Sequence, residues 1–198
     1  MAPTARRTKW RRRTTKELRD TAHHEAGHAV IARVLTLFAG HATIKPDYDE
    51  RAAGVSITHE PYSCLHEWEK RGKVRGHPDT VLHARIMTLM AGAEAEAVLL
   101  GRNPISDGDD RHQIALMAEE LCHSVAWDRL EPRLRALTRM LVRRHQARIK
   151  RVAKTLLAKT TLSAKQLDRL VGRSVDDVKV NAPFILEMHR RHDRAARS

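Results

Sequence analysis

Over residues 14–40 the chain keeps a helical pattern, and His23, His24, Glu25 and His28 fall in the middle of it, among small residues. This segment constrains the fold more than any other. Thr14-x-x-Glu17 has the form of a capping box that opens a helix. The pattern predicts a helix over residues 17–38 that stops near Gly40. Leu18, Ala22, Ala26, Ala29, Val30, Val34 and Leu37 give it an apolar face that needs a core to pack against.

Within that helix, His24-Glu25-Ala26-Gly27-His28 spells His-Glu-x-x-His. Residues four apart lie one turn apart on the same face. His24 and His28 can therefore both offer a ring nitrogen to one Zn²⁺, at about 2.0–2.1 Å. Such an ion acidifies water and polarises a carbonyl. Glu25 follows the first histidine and projects toward the ion's side, where it can take a proton from water and return it to a leaving amine. Ala26, Gly27 and Ala29 are small enough to let another element approach the helix closely. His23 lies off the ligand face and is read as a surface histidine or one that supports a ligand.

The rest of the chain predicts a mainly α fold with a small β component (α+β). Hydrophobic residues make up 41% of the 198 but aromatics only 4%. The core must then be built of Leu, Val, Ile, Ala and Met, a mix that favours helix over strand. Residues 41–45 and 54–58 form two short strand candidates, with a polar hairpin loop at 47–51. Residues 59–79 read as a long irregular connection. A second helix is expected from 79 or 80 to Leu100, with Gly101 as its stop. A polar turn at 102–109 leads into a third helix over 110–125. Residues 131–171 read as two or more amphipathic helices, in which Val142, Ile149, Val152, Leu156 and Leu157 keep helical spacing.

Charge and cysteine content narrow the setting. The net charge is +13, but its distribution is uneven. Residues 1–19 carry eight Lys or Arg and one acid, and residues 129–198 carry nineteen and six; residues 20–128 carry ten and seventeen. A nucleic-acid surface would belong to the basic flanks, not to the acidic middle. Two cysteines, Cys64 and Cys122, make no disulfide framework. No apolar run is long enough to cross a bilayer, and the basic N-terminus has no apolar stretch behind it. A cytoplasmic protein with no membrane partner is the expectation.

The His24-Glu25-Ala26-Gly27-His28-Ala29 segment resembles the active-site helix of the FtsH-type ATP-dependent zinc metalloproteases. Ala42-Thr43-Ile44-Lys45-Pro46 and Ala53-Gly54-Val55-Ser56-Ile57 resemble the short strands that follow it in that family. Met90-Ala91-Gly92-Ala93-Glu94-Ala95-Glu96-Ala97 resembles its Gly-Arg-Ala-Ala-Glu-Glu helix, and Asp109-Asp110-Arg111-His112-Gln113-Ile114-Ala115 its Asn-Asp-Leu-Glu-x-Ala-Thr segment. Val152-Ala153-x-x-Leu156-Leu157 and Thr161-Leu162-Ser163 resemble its closing helix and exit. These matches run in order over residues 18–172.

The resemblance implies a helical, zincin-like peptidase domain with a small hairpin or sheet after the active-site helix. It also implies a third ligand, Asp110, which completes a His₂-Asp set and leaves a fourth position open. Without it Asp107, Asp109 and Asp110 remain alternatives, since either of the first two could cap a helix. Glu96 matches the family's helix glutamate; it is expected to orient a ligating histidine, and is the runner-up third ligand. Ala93 stands where the family has Arg, and Arg111-His112 where it has Leu-Glu. No G-x-x-x-x-G-K-[ST] loop occurs. The expectation is therefore a stand-alone peptidase without the AAA+ ATPase module or membrane anchor, divided into a disordered basic arm (1–13), the zinc peptidase domain (14–172) and a charged extension (173–198).

The expected substrate is a flexible or unfolded polypeptide. Gly54, Val55, Ser56 and Ile57 are the candidate strand for pairing with it. A separate ATPase chain and self-association are the expected partners. The competing expectation is a zinc-stabilised regulatory protein that uses its basic flanks on nucleic acid or on a partner protein.

Overall fold

Thr14 caps the first helix as its sequence predicts. Its hydroxyl accepts the Glu17 backbone N–H at 3.2 Å, and the Glu17 carboxylate accepts the Thr14 N–H at 2.8 Å. A computed structural model describes this chain over residues 13–37, 39–46, 54–58, 78–102, 108–121 and 127–172, together with positions 66 and 70. Helix α1 spans Thr15–Val34. It ends before the expected Phe38, because Thr36 adopts the left-handed conformation (φ 63°). The Thr36 N–H then reaches Arg33 O at 3.1 Å and the Leu37 N–H reaches Ala32 O at 2.8 Å. This is a Schellman closure with threonine where glycine usually stands. A left-handed non-glycine residue costs about 1 kcal/mol; the two hydrogen bonds and the burial of Leu35 and Leu37 offset it.

Strand β1, Ala39–Thr43, pairs antiparallel with β2, Val55–Thr58, bringing Ala42 opposite Ser56 and Thr43 opposite Val55. A third strand, β3 (Thr161–Leu162), pairs with the other side of β1, giving the order β2-β1-β3. The sequence pattern predicts only the hairpin. Two residues are too few to show a period, and the pattern over residues 131–171 predicts helix where β3 forms. It is fixed instead by long-range pairing: Ile44 N–H reaches Thr160 O at 2.8 Å, and the Thr43 and Thr161 hydroxyls meet at 2.8 Å.

The other helices among the described residues are α2 (Pro78–Leu100), α3 (Gly108–Leu121), α4 (Trp127–Arg144), α5 (Gln146–Lys159) and α6 (Ala164–Val171). Gly101 follows α2 at φ 65°, the stop its position predicts. Val142, Ile149, Val152 and Leu156 are buried, but Leu157 is 41% exposed, off the core face of α5. Among the described residues the protein is thus mainly helical with a three-stranded antiparallel sheet. No described helix is long and apolar enough to cross a membrane. Arg13, assigned above to the basic arm, is anchored: its guanidinium donates to Ile44 O. The rest of that arm, the 47–51 loop, most of 59–79, Cys64, Cys122 and the 173–198 extension lie outside the described residues.

Helix α1 is central. It packs against α2, α5, α6 and the sheet, and every residue from Ala22 to Ala32 is buried. A helix covered all round normally carries no ionisable groups. Here it buries three histidines and a glutamate, so each must find a partner or be forced to one protonation state. Arg33 ties the end of α1 to its surroundings: Nε donates to Asp168 of α6 at 2.8 Å, and Nη2 to the Ala39 and Gly40 carbonyls at 3.3 Å each. On α2, buried Glu94 is gripped by Arg139 of α4 at 2.7 Å and 3.2 Å.

The approach of α1 to α2 depends on Gly27. A Cβ there would strike the Ala91 carbonyl oxygen and stand 2.9 Å from the Ala95 Cβ. Backbone cannot yield as a flexible side chain can. Gly27→Ala is expected to cost about 2 kcal/mol through overpacking, seen as a Tm lower by roughly 6 °C. An unchanged melting curve would mean the helices are not this close.

Candidate metal centre

Three helices build the centre. Helix α1 presents His24 and His28 one turn apart, their rings edge to face with centroids 4.6 Å apart. The first turn of α3 brings in Asp110, whose Oδ2 lies 3.1 Å from His24 Nε2 and 3.2 Å from His28 Nε2. Helix α2 fixes both rings from behind. His24 Nδ1 donates to Glu96 Oε1 at 2.7 Å, and His28 Nδ1 donates to the Thr88 carbonyl at 2.7 Å. With each Nδ1–H so engaged, both Nε2 atoms are left facing Asp110. One ligand atom from each of His24, His28 and Asp110 lies within 4.8 Å of the others. Two imidazole nitrogens and a carboxylate oxygen, with both rings held by acceptors, form a donor set that could hold a metal ion.

Of the aspartates weighed from sequence, Asp110 is the one brought to the histidines; Asp109 is exposed, and Asp107 lies outside the described residues. Glu96 is a correction to its runner-up role as third ligand. It engages the outer nitrogen of His24, so it orients the ring from the side away from Asp110. His23 is not at the surface: it is buried, with Nδ1 donating to Arg19 O at 2.8 Å. Thr88 and Gly92 were missed in the sequence. The signal was present in Thr88, Gly92 and Glu96, which recur every four residues on one face of an otherwise apolar, alanine-rich helix.

Charge in the centre is tightly coupled. Burial alone would lower the pKa of His24. Hydrogen bonds to Asp110 and Glu96, with Glu25 nearby, outweigh it and raise the value to about 10. Burial would raise Asp110, but the charge of His28 and hydrogen bonds from both histidines hold it well below the usual carboxylate range. Burial pushes Glu25 up, against the pull of His28 and His24. Glu25 is 5% exposed. Its carboxylate lies against the start of β2: a Cβ on Gly54 would stand 2.6 Å from Oε1 and 2.9 Å from Cγ. Gly54, Val55 and Ser56 are half-buried; Ile57 belongs to the same strand, and its side chain lies outside the described residues. Among the described residues strand β2 is at the edge of the sheet, paired with β1 alone.

No family model and no curated protein matches the chain.

A proton on His24 competes with a metal ion for Nε2. Because that pKa is raised to about 10, metal affinity is expected to rise as pH goes from 6 to 9, and uptake at pH 7.5 to release about one proton from this histidine. Calorimetric titration with Zn²⁺ in two buffers of different ionisation enthalpy reads the released protons directly. A pH-independent affinity would show that His24 is not a ligand.

Proposed function

We propose that this chain is a zinc-dependent metallopeptidase with an FtsH-type, zincin-like peptidase domain, acting on flexible or unfolded polypeptide. His24, His28 and Asp110 would hold the ion, and Glu25 would serve as general base. The observation that carries this reading is the convergence of residues 24, 28 and 110 from two helices, with Glu25 buried beside them. A metal kept only for stability needs closed coordination and has no use for a neighbouring carboxylate forced toward the neutral form by burial. A raised pKa suits a group that must take a proton and hand it on near neutral pH.

Zinc bound there supplies a Lewis acid that acidifies water and polarises the scissile carbonyl. The chain's own residues do the rest. Glu96 and the Thr88 carbonyl hold the imidazoles in one tautomer and orientation. Glu25 accepts a proton from water and passes it to the leaving nitrogen. The β2 edge at Gly54, Val55, Ser56 and Ile57 would align an extended substrate by main-chain pairing, next to Glu25. In such a peptidase an ATPase on a separate chain, or self-association, would serve to deliver unfolded substrate.

The test uses the purified full chain loaded with one equivalent of zinc and offered fluorescein-labelled denatured casein. Hydrolysis is expected; 1,10-phenanthroline should remove it and added Zn²⁺ restore it. Stoichiometric zinc with no cleavage above a chelated control would refute the peptidase reading while leaving the metal centre standing.

A further inference from the structure

Gly92 lies between Thr88 and Glu96 on the face of α2 that supports the two histidines. It is buried in mid-helix, where glycine costs about 1 kcal/mol relative to alanine. The surrounding sequence uses alanine at 91, 93, 95 and 97. The backbone gives no reason for glycine, because the positive-φ glycines of the described chain are Gly101 and Gly172. Space gives one. A Cβ at position 92 would stand 2.5 Å from His28 Nε2, and 2.7 Å from both Nε2 and Cε1 of His24.

Those are the two nitrogens that face Asp110. An ion shared by them lies about 2.0–2.1 Å from each, so a carbon 2.5 and 2.7 Å from the same two atoms has two outcomes. On the ion's side of the rings it occupies the coordination space; on the other side it drives the imidazoles off their hydrogen bonds to Glu96 and Thr88. We propose that Gly92 is a positioning residue of the metal centre, its missing side chain keeping clear the hollow in which the His24 and His28 Nε2 atoms meet a metal ion. This rests on the metal-binding part of the reading above and is independent of peptidase activity.

The test is a Co²⁺ titration of the full chain followed by visible absorption, alongside thermal melting of the metal-free protein. Gly92→Ala is expected to weaken Co²⁺ binding at least 100-fold and to alter or abolish the absorption bands of the wild-type complex. Gly108→Ala is the control, since a Cβ there meets nothing within 4 Å; its affinity should stay within about threefold of wild type. Should Gly92→Ala be too unstable to titrate, Gly92→Ala/His28→Ala decides. If the added methyl clashes with the ring, the double variant is destabilised by less than the sum of the two single variants; strict additivity of the two lesions overturns the proposal. Co²⁺ binding by Gly92→Ala equal to wild type also overturns it and leaves the metal centre intact. A wild-type protein that takes up no Co²⁺ removes the metal centre and this inference together.

Discussion

Glu25→Gln is expected to lower kcat/KM on denatured casein by about three orders of magnitude while one zinc per chain remains bound. The amide keeps the shape of the carboxylate and removes its capacity to accept a proton. General acid–base groups contribute roughly 10²–10⁴-fold. Glu25 should fall in the upper part of that range, because it is 5% exposed and packed against Gly54, which holds it in place. Metal content should persist, since the group that could hold the ion, His24, His28 and Asp110, does not include it. Stability should not suffer, because burial disfavours the ionised Glu25 carboxylate and a neutral amide is cheaper to bury. The deciding measurements are steady-state rates with metal analysis on the same samples. A variant within tenfold of wild type would show that another group moves the proton.

What the sequence made legible is local or repeated. The Thr14–Glu17 box, the Gly101 stop and the burial of Val142, Ile149, Val152 and Leu156 all follow from one element's own pattern. The four-residue spacing of His24 and His28 fixed half the centre without a fold. The misses are of another kind. The end of α1 depends on a threonine held left-handed at position 36, which glycine statistics do not reveal. Strand β3 exists only because β1 offers it a partner. The burial of His23 follows from α1 being wrapped on all sides, a tertiary fact. The choice of Asp110 over Asp109 needed a resemblance. From sequence alone three acids compete, and the α3 register that sends one to the histidines while leaving its neighbour exposed is set by packing against α2.

Asp110→Ala is expected to weaken zinc binding by two to three orders of magnitude, and to destabilise the metal-free protein as well. A single orienting partner of a ligand is typically worth 10–100-fold in affinity; removal of a ligand oxygen itself should exceed that. The effect on the metal-free chain has a definite pH signature. His24 has a folded pKa raised from 6.5 to about 10, so its pairing with Asp110 stabilises fully below pH 6.5 and is lost as pH climbs toward 10. Asp110 has a folded pKa depressed from 3.8, so its share is present above pH 3.8 and is lost as pH falls below it. The two conditions overlap between about pH 4 and pH 6.5. There wild type should exceed Asp110→Ala by about 3 kcal/mol, the usual consequence of leaving one partner of a buried ion pair behind. The gap should narrow steadily by pH 10. Glu96→Gln, which touches only the far nitrogen of His24, should show the high-pH narrowing without losing a ligand. Urea melts of the metal-free proteins across this range measure the gap. If Asp110→Ala and wild type differ equally at pH 5.5 and pH 10, the carboxylate is not paired with a charged His24, and the electrostatic account of the centre is wrong.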